Sequence, residues 1–197
     1  MPNLTLTGVY GNWITQRALQ SPASRRSAQW VGIGDFDIIQ TGTDSNYNCG
    51  LFCSNYSAWY ELYTQNAQQG QTPIPIAVSP GDQIYASIKF INNTSTTTNW
   101  NITLIDINDG VAGVYRRINQ STDAFASNVT KDVEWIDERP ARCNGCTAFN
   151  LSNFINATFY NSSFAVNRTI LPHPINYFNY SAIAMFSNTN ISGTTNS

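Results

Sequence analysis

Two polar side chains interrupt apolar, strand-like segments of this sequence. Glu134 lies between Val133 and Trp135 in VEWIDERP, and Gln40 follows the apolar pair of DFDIIQTGTD. A carboxylate among apolar residues is costly unless it is paired or used. A carboxyl group can move protons and a carboxamide can donate hydrogen bonds, so the two are candidates for hydrolytic chemistry. A structural Gln–Glu hydrogen bond in the core explains the same residues equally well.

Several other chemistries find little support in the sequence. The single histidine, His173 in LPHPIN, is flanked by prolines, and we interpret it as structural rather than as part of a Ser-His-Asp or Cys-His site. One histidine also excludes a histidine-rich metal site. The sequence contains no phosphate-binding or dinucleotide-binding fingerprint, and no D-[ST]-G motif of the pepsin-like aspartic dyad. We therefore expect neither a metal nor a cofactor.

The polar residues are mostly uncharged. Only 11% of residues are charged, with 10 Lys+Arg against 12 Asp+Glu, so we expect no nucleic-acid partner. The glycosylation triplet N-x-[ST] occurs at Asn3, Asn55, Asn92, Asn93, Asn101, Asn119, Asn128, Asn150, Asn156, Asn161, Asn167, Asn179 and Asn190. This density predicts a secreted protein with N-linked glycans, although a neutral surface also suits work in acid, where carboxylates are protonated.

The four cysteines form two close pairs, Cys49 with Cys53 and Cys143 with Cys146. Such pairs fit short-loop disulfides or one tetrahedral zinc site. The signs of export favour disulfides. No apolar run approaches the ~20 residues of a membrane span.

The elements that would position Gln40 and Glu134 are predicted to be β-strands. Period-two alternation recurs between turn-rich breaks, without a long stretch of helical period. The strand candidates are AQWVGIG, DFDIIQTG, SAWYELYT, QIYASIKF, WNITLI, DVEWIDE, FINATFYNSSF and YSAIAMF. Period-two counting puts Gln40 on one face with Ile38, and puts Glu134 opposite Val133 and Trp135. We predict an all-β sandwich of two antiparallel sheets, jelly-roll or concanavalin-like, as a single domain over residues 1–197.

Five segments, AQWVGIG, DFDIIQTGTD, YSAWYELY, VEWIDERP and LSNFINATFYNSSF, resemble in this order the successive blocks of the glutamic peptidases, the eqolisin family. The similarity spans roughly Val9 to Phe164. It implies a β-sandwich and a secreted, acid-active endopeptidase that cleaves polypeptides with a Gln/Glu pair. It also implies a local disulfide between Cys143 and Cys146.

Matched residue by residue, the resemblance places the catalytic pair on Gln40 and Glu134. Glu134 would be the general base that activates water, and Gln40 would stabilise the tetrahedral oxyanion. The positions that line or support the family's cleft fall on Trp30, Asp44, Trp59 and Glu61. The residues after Glu134, namely Asp137, Glu138 and Arg139, are interpreted as a rim or supporting network.

The sequence departs from the family pattern at Gly34 and Ser57, where the family often has aspartate, so its subsite preference is not carried over. The alternative function is a non-catalytic, glycosylated β-sandwich that binds carbohydrate or builds a cell surface. For either function we expect a monomer.

Overall fold

Two β-sheets form the computed structural model, which describes residues 5–19, 25–34, 37–47, 54–64, 67–68, 70–93, 97–122, 132–140, 149–152 and 156–172. The strands are β1 (Leu6–Ile14), β2 (Arg25–Arg26), β3 (Ala28–Gly34), β4 (Ile38–Tyr47), β5 (Ser54–Thr64), β6 (Ala67–Gln68), β7 (Thr72–Ile74), β8 (Gln83–Asn93), β9 (Thr97–Asp106), β10 (Val114–Thr122), β11 (Asp132–Glu138), β12 (Asn150–Leu151), β13 (Phe159–Val166) and β14 (Thr169–Pro172). In these ranges the helical element is a 3-10 turn at Gly110–Gly113. The prediction of an all-β fold with two sheets is confirmed.

The six-stranded sheet has the order β10-β9-β8-β1-β13-β14, with antiparallel neighbours throughout. The alternation of QIYASIKF and WNITLI sends their apolar residues to one face, as predicted from period two. Ile84, Ala86 and Ile88 from β8 are fully buried, and so are Ile102 and Leu104 from β9. Each of the isoleucine and leucine side chains contributes roughly 1.5–3 kcal/mol when it leaves water.

The eight-stranded sheet is built around β11, β3, β4 and β5, which pair antiparallel in that order. The short strands β6 and β7 pair with β5, β2 pairs with β4, and β12 pairs parallel with β2. One face of this sheet packs into the core through Val31, Ile33, Ile39, Ala58 and Tyr60. We call this the core face, and we call the opposite face, which carries Gln40 and Glu134, the site face.

Two tryptophans tie the sheets together across the core. The Trp13 indole N–H on β1 donates to the Thr43 hydroxyl on β4 at 2.9 Å. The Trp135 indole N–H on β11 donates to the Tyr10 carbonyl on β1 at 2.8 Å. An indole N–H that is removed from water is stabilised by such a partner, so the two bonds help to hold the sheets in position against each other.

Some strand boundaries differ from the prediction. β4 begins at Ile38 and continues to Tyr47, and β13 begins only at Phe159. Neither β1 nor β10 was among the strand candidates. β10 lies at the edge of the six-stranded sheet, where charged and polar residues interrupt the alternation that identifies a strand. The predicted strand YSAIAMF lies outside the described residues.

No helix in the described part of the chain has the length and hydropathy needed to cross a membrane.

Candidate active site

Cross-strand register aligns four residues in a single row on the site face. Glu134 pairs with Gly32, Gly32 with Gln40, and Gln40 with Glu61. Residues directly opposite one another in antiparallel strands share a face, so their side chains project together. We call these four residues the polar row. Period-two counting predicted which neighbours share a face with Gln40 and which lie opposite Glu134. The strand pairing shows that Gln40 and Glu134 lie on the same face of the sheet.

Gly32 leaves the centre of the polar row without a side chain. Because neighbouring strands are about 4.8 Å apart, the Cα atoms of Glu134 and Gln40 are separated by about 10 Å. A Cβ placed on Gly32 would lie 2.6 Å from Cζ3 of Trp30 and 3.1 Å from Cγ2 of Ile38. The Trp30 ring therefore covers Gly32 and forms a floor between the two polar side chains.

The Gln40 amide is held in a defined orientation. Its side chain is only 9% exposed, and its Nε2 donates a hydrogen bond to Oε2 of Glu61 at 2.9 Å. An amide nitrogen carries two hydrogens, so one remains to serve another acceptor. This residue can act as a hydrogen-bond donor at any pH at which the protein is folded.

Glu134 is half-buried and lies on the site face, whereas its neighbours Val133 and Trp135 pack against the core. The alternation of β11 thus explains a carboxyl group between two large apolar residues, because successive side chains point to opposite faces. The prediction from period-two counting is confirmed for this strand.

The next row along the strands is apolar. Ile136 pairs with Trp30, Trp30 with Gly42, and Gly42 with Trp59. Trp30 and Trp59 are nearly fully buried and form a second apolar cluster with Ala28. The Trp59 indole N–H donates to Oδ1 of Asp44 at 2.9 Å, which fixes the ring beside the polar row.

A third row carries two more acids, Asp44 on β4 and Glu138 on β11, separated by Ala28. Burial raises the pKa of Asp44 to about 6, although hydrogen bonds from Trp59 and the charge of Arg26 oppose the rise. Burial and the nearby Asp44 charge also raise the pKa of Glu138. The Trp30 indole opposes that rise, but its N–H is outside hydrogen-bond geometry with any described acceptor.

Glu61 belongs to the same electrostatic group. Burial raises its pKa, the charges of Glu138 and Asp44 add to the rise, and the hydrogen bond from Gln40 lowers it. The site face therefore carries three carboxyl groups that hold their protons to higher pH than an exposed acid does.

All six residues that the sequence suggested for the site, Gln40, Glu134, Trp30, Asp44, Trp59 and Glu61, lie on the site face. Glu138 joins them there, although sequence reasoning gave it only a rim or supporting position. The same period-two count that places Glu134 also places Glu138 on this face. Asp137 points the other way, toward the core, and accepts a hydrogen bond from Gln16 Nε2 at 3.0 Å.

The four cysteines Cys49, Cys53, Cys143 and Cys146, together with His173, lie outside the described residues. Within the described ranges, no three His, Cys, Asp or Glu side chains are grouped so that they could hold a metal ion.

Comparison with known proteins adds one finding. The model of the Peptidase A4 family matches residues 2–195, nearly the whole chain. Neither the curated proteins nor the solved structures gave a match. Since the family match covers far more than half of the sequence, the chain belongs to the Peptidase A4 family and is a glutamic endopeptidase.

Proposed function

We propose that this glutamic endopeptidase is secreted, works at acid pH and uses Glu134 and Gln40 as its catalytic pair. The polar row is the observation that carries the proposal, because it sets a carboxyl group and an amide donor on either side of Gly32. The space over Gly32 would accept the scissile peptide bond and one water molecule. The Trp30 ring would be the floor of that space.

The reaction follows from the chemistry of these two groups. Ionised Glu134 takes a proton from the water, and the water oxygen attacks the carbonyl carbon of the substrate. The N–H of Gln40 that does not bind Glu61 donates to the oxyanion of the tetrahedral intermediate. The protonated Glu134 then gives its proton to the leaving amine as the carbon–nitrogen bond breaks. No acyl-enzyme forms, because water is the attacking nucleophile.

Acid activity is supported by the electrostatics of the site face. A histidine base would be protonated in acid, whereas a carboxyl group with an ordinary pKa near ~4.3 stays partly ionised. Because burial raises the pKa values of Asp44, Glu61 and Glu138, these acids are protonated to a greater extent in acid than exposed carboxyl groups would be. Neutral neighbours place little negative charge beside the developing oxyanion.

Secretion and N-linked glycosylation are supported by the positions of the glycosylation triplets. The described asparagines that are exposed and begin such a triplet are Asn55, Asn92, Asn93, Asn150, Asn156, Asn161 and Asn167. Asparagines of this kind can carry a glycan without disturbing the core. We expect the protein from the culture medium of its native host to lose mass when its N-linked glycans are released, and an unchanged mass would contradict this part of the proposal.

The catalytic assignment is tested with denatured casein or haemoglobin between about pH 2 and 7. The parent protein, Glu134→Gln and Gln40→Ala are compared at equal concentration, with pepstatin present to suppress any contaminating aspartic peptidase. We expect Glu134→Gln to abolish cleavage, and Gln40→Ala to reduce kcat by about 10²–10³.

Asp109→Asn is the matched control, since it removes an exposed carboxyl group from the turn after β9, in the other sheet. This variant should cleave at the parental rate. Parental activity in both Glu134→Gln and Gln40→Ala would overturn the assignment, and so would a parent protein that cleaves nothing at any pH.

A further inference from the structure

Glu61 contacts the proposed oxyanion donor directly. It lies opposite Gln40 across β4 and β5, and its Oε2 accepts the Gln40 Nε2–H at 2.9 Å. Gln40 is almost completely buried and Glu61 is half-buried, so solvent competes little for this hydrogen bond. Glu61 thus acts on the reaction centre through Gln40.

The hydrogen bond decides which end of the Gln40 amide faces the substrate. The nitrogen and oxygen of a carboxamide are similar in size, so packing alone barely distinguishes the two orientations. An acceptor at Glu61 favours the orientation in which the nitrogen lies beside Oε2. The second N–H is then available to an oxyanion. A protonated Glu61 still has a carbonyl oxygen that can accept this bond, so the orientation survives protonation.

The charge of Glu61 has the opposite effect on the reaction. An ionised carboxylate next to Gln40 puts negative charge close to the place where the oxyanion would form. Like charges repel strongly in a partly buried site, because the effective dielectric constant is lower there than in water. The ionised form of Glu61 should therefore raise the barrier that Gln40 lowers.

The other charged groups around Glu61 come from several strands. Glu138 and Glu134 lie on β11, Asp44 lies on β4, and Arg26 on β2 acts on Asp44. Burial raises the pKa of Glu61, the hydrogen bond from Gln40 opposes the rise, and the negative charges of Glu138 and Asp44 add to it. The surroundings thus favour the neutral form of Glu61 in acid.

We infer that Glu61 is a positioning residue that orients the Gln40 amide, and that the enzyme is most active when Glu61 is protonated. Loss of that proton then sets the alkaline limit of activity. This inference rests on the proposed roles of Gln40 and Glu134.

The test compares pH profiles of kcat/KM on one peptide substrate for the parent, Glu61→Gln and Glu61→Leu. Glu61→Gln keeps an oxygen that can accept the Gln40 N–H, but its side chain never ionises. The alkaline limb of the kcat/KM profile of this variant should therefore shift to higher pH by at least about one pH unit. Glu61→Leu removes the acceptor and should lower kcat by about tenfold or more at every pH. Asp109→Asn should reproduce the parental profile.

A second measurement follows the carboxyl group of Glu61 in the parent protein itself. The chain has three glutamates, Glu61, Glu134 and Glu138, so protein labelled with ¹³C at the glutamate carboxyl gives three resonances to titrate. The resonance of Glu61 should titrate with the alkaline limb of the parental kcat/KM profile. Loss of one resonance in Glu61→Gln and of another in Glu134→Gln assigns all three.

The outcomes separate this inference from the proposed function. A Glu61→Gln profile that superimposes on the parental one, or a Glu61 titration far from the alkaline limb, overturns the role of Glu61 alone. Full activity in Gln40→Ala and Glu134→Gln overturns the catalytic pair itself, whatever Glu61 does.

Discussion

Glu134 and Gln40 lie on either side of Gly32, on the face of the sheet opposite to the core. Each comes from a different neighbour of β3, so the empty position on the central strand decides what fits between them. The backbone conformation of Gly32 does not require glycine, because the glycines with positive φ among the described residues are Gly34, Gly81 and Gly110. The absence of a side chain between Glu134 and Gln40 is therefore the feature that glycine provides at this position.

We predict that Gly32→Val lowers kcat/KM by about 10², because its side chain would displace the Trp30 ring and occupy the space between the two proposed catalytic groups. Gly70→Val is the matched control, since a Cβ on Gly70 meets nothing within 4 Å. Steady-state kinetics on a peptide substrate measure the effect, and thermal unfolding checks that Gly32→Val is folded. Activity within about twofold of the parent would show that the space over Gly32 is not used.

Stability should decrease as pH rises from acid to neutral. Burial raises the pKa of Asp44 and Asp106 to about 6 and that of Asp137 to about 7, against an ordinary value of 3.8. Between 3.8 and these values the folded state binds more protons than the unfolded state, so the stabilisation is complete below 3.8 and is lost as pH rises through about 6 and 7. At about 1.4 kcal/mol per pKa unit, Asp44 and Asp137 each account for roughly 3 to 4 kcal/mol.

The two losses add to about 7 kcal/mol, which for a chain of this size corresponds to a fall in Tm of roughly 15 to 30 °C. Calorimetry at constant ionic strength between about pH 3 and 8 measures it. A Tm that is constant or rises with pH over this interval would contradict the prediction.

Much of the site could be predicted from the sequence because alternation in a strand is strict. Period two alone predicts that Gln40 shares a face with Ile38 on β4 and that Glu134 lies opposite Val133 and Trp135 on β11. The structure shows that Val133 and Trp135 pack toward the core, and a one-residue slip would exchange the two faces completely.

The partners across the strands could not be predicted in the same way. Nothing in the sequence says that Gly32 falls between Gln40 and Glu134, or that Glu61 falls opposite Gln40. Register between strands depends on loop geometry and on the packing of distant residues such as Trp13 and Thr43. For the same reason, period two can place Glu138 on the site face, but it cannot predict that Glu138 interacts electrostatically with Glu61.

Asp137 accounts for the largest predicted loss of folding stability at neutral pH. It faces Gln29 across β11 and β3 on the core side, and neither amide atom of Gln29 nor Oδ1 of Asp137 has a hydrogen-bond partner among the described residues. Burial raises the pKa of Asp137, the Glu138 charge adds to the rise, and the Gln16 hydrogen bond opposes it.

We predict that Asp137→Asn, which cannot ionise, raises Tm at about pH 7.5 by several degrees and changes it little at about pH 4. Asp132→Asn is the control on the same strand, because Asp132 is exposed. Differential scanning calorimetry of the three proteins at both pH values decides the matter. Equal effects of Asp137→Asn at the two pH values would mean that ionisation of Asp137 is not the cause.

The hydrogen bond from Trp13 to Thr43 should be worth more to stability than its exposed counterparts. Both residues are essentially inaccessible to solvent, and the bond of 2.9 Å joins the two sheets. Thr43→Val keeps the shape of the side chain but leaves the buried indole N–H without its acceptor, which should cost about 1–3 kcal/mol. Thr43→Ser restores the hydroxyl at the expense of one methyl group, so it should recover most of that hydrogen-bond energy.

Urea unfolding at about pH 4, where the buried acids are protonated, measures both variants. If Thr43→Val proves as stable as the parent and Thr43→Ser is the weaker variant, then packing of the methyl group, and not the indole bond, holds the sheets together at this point.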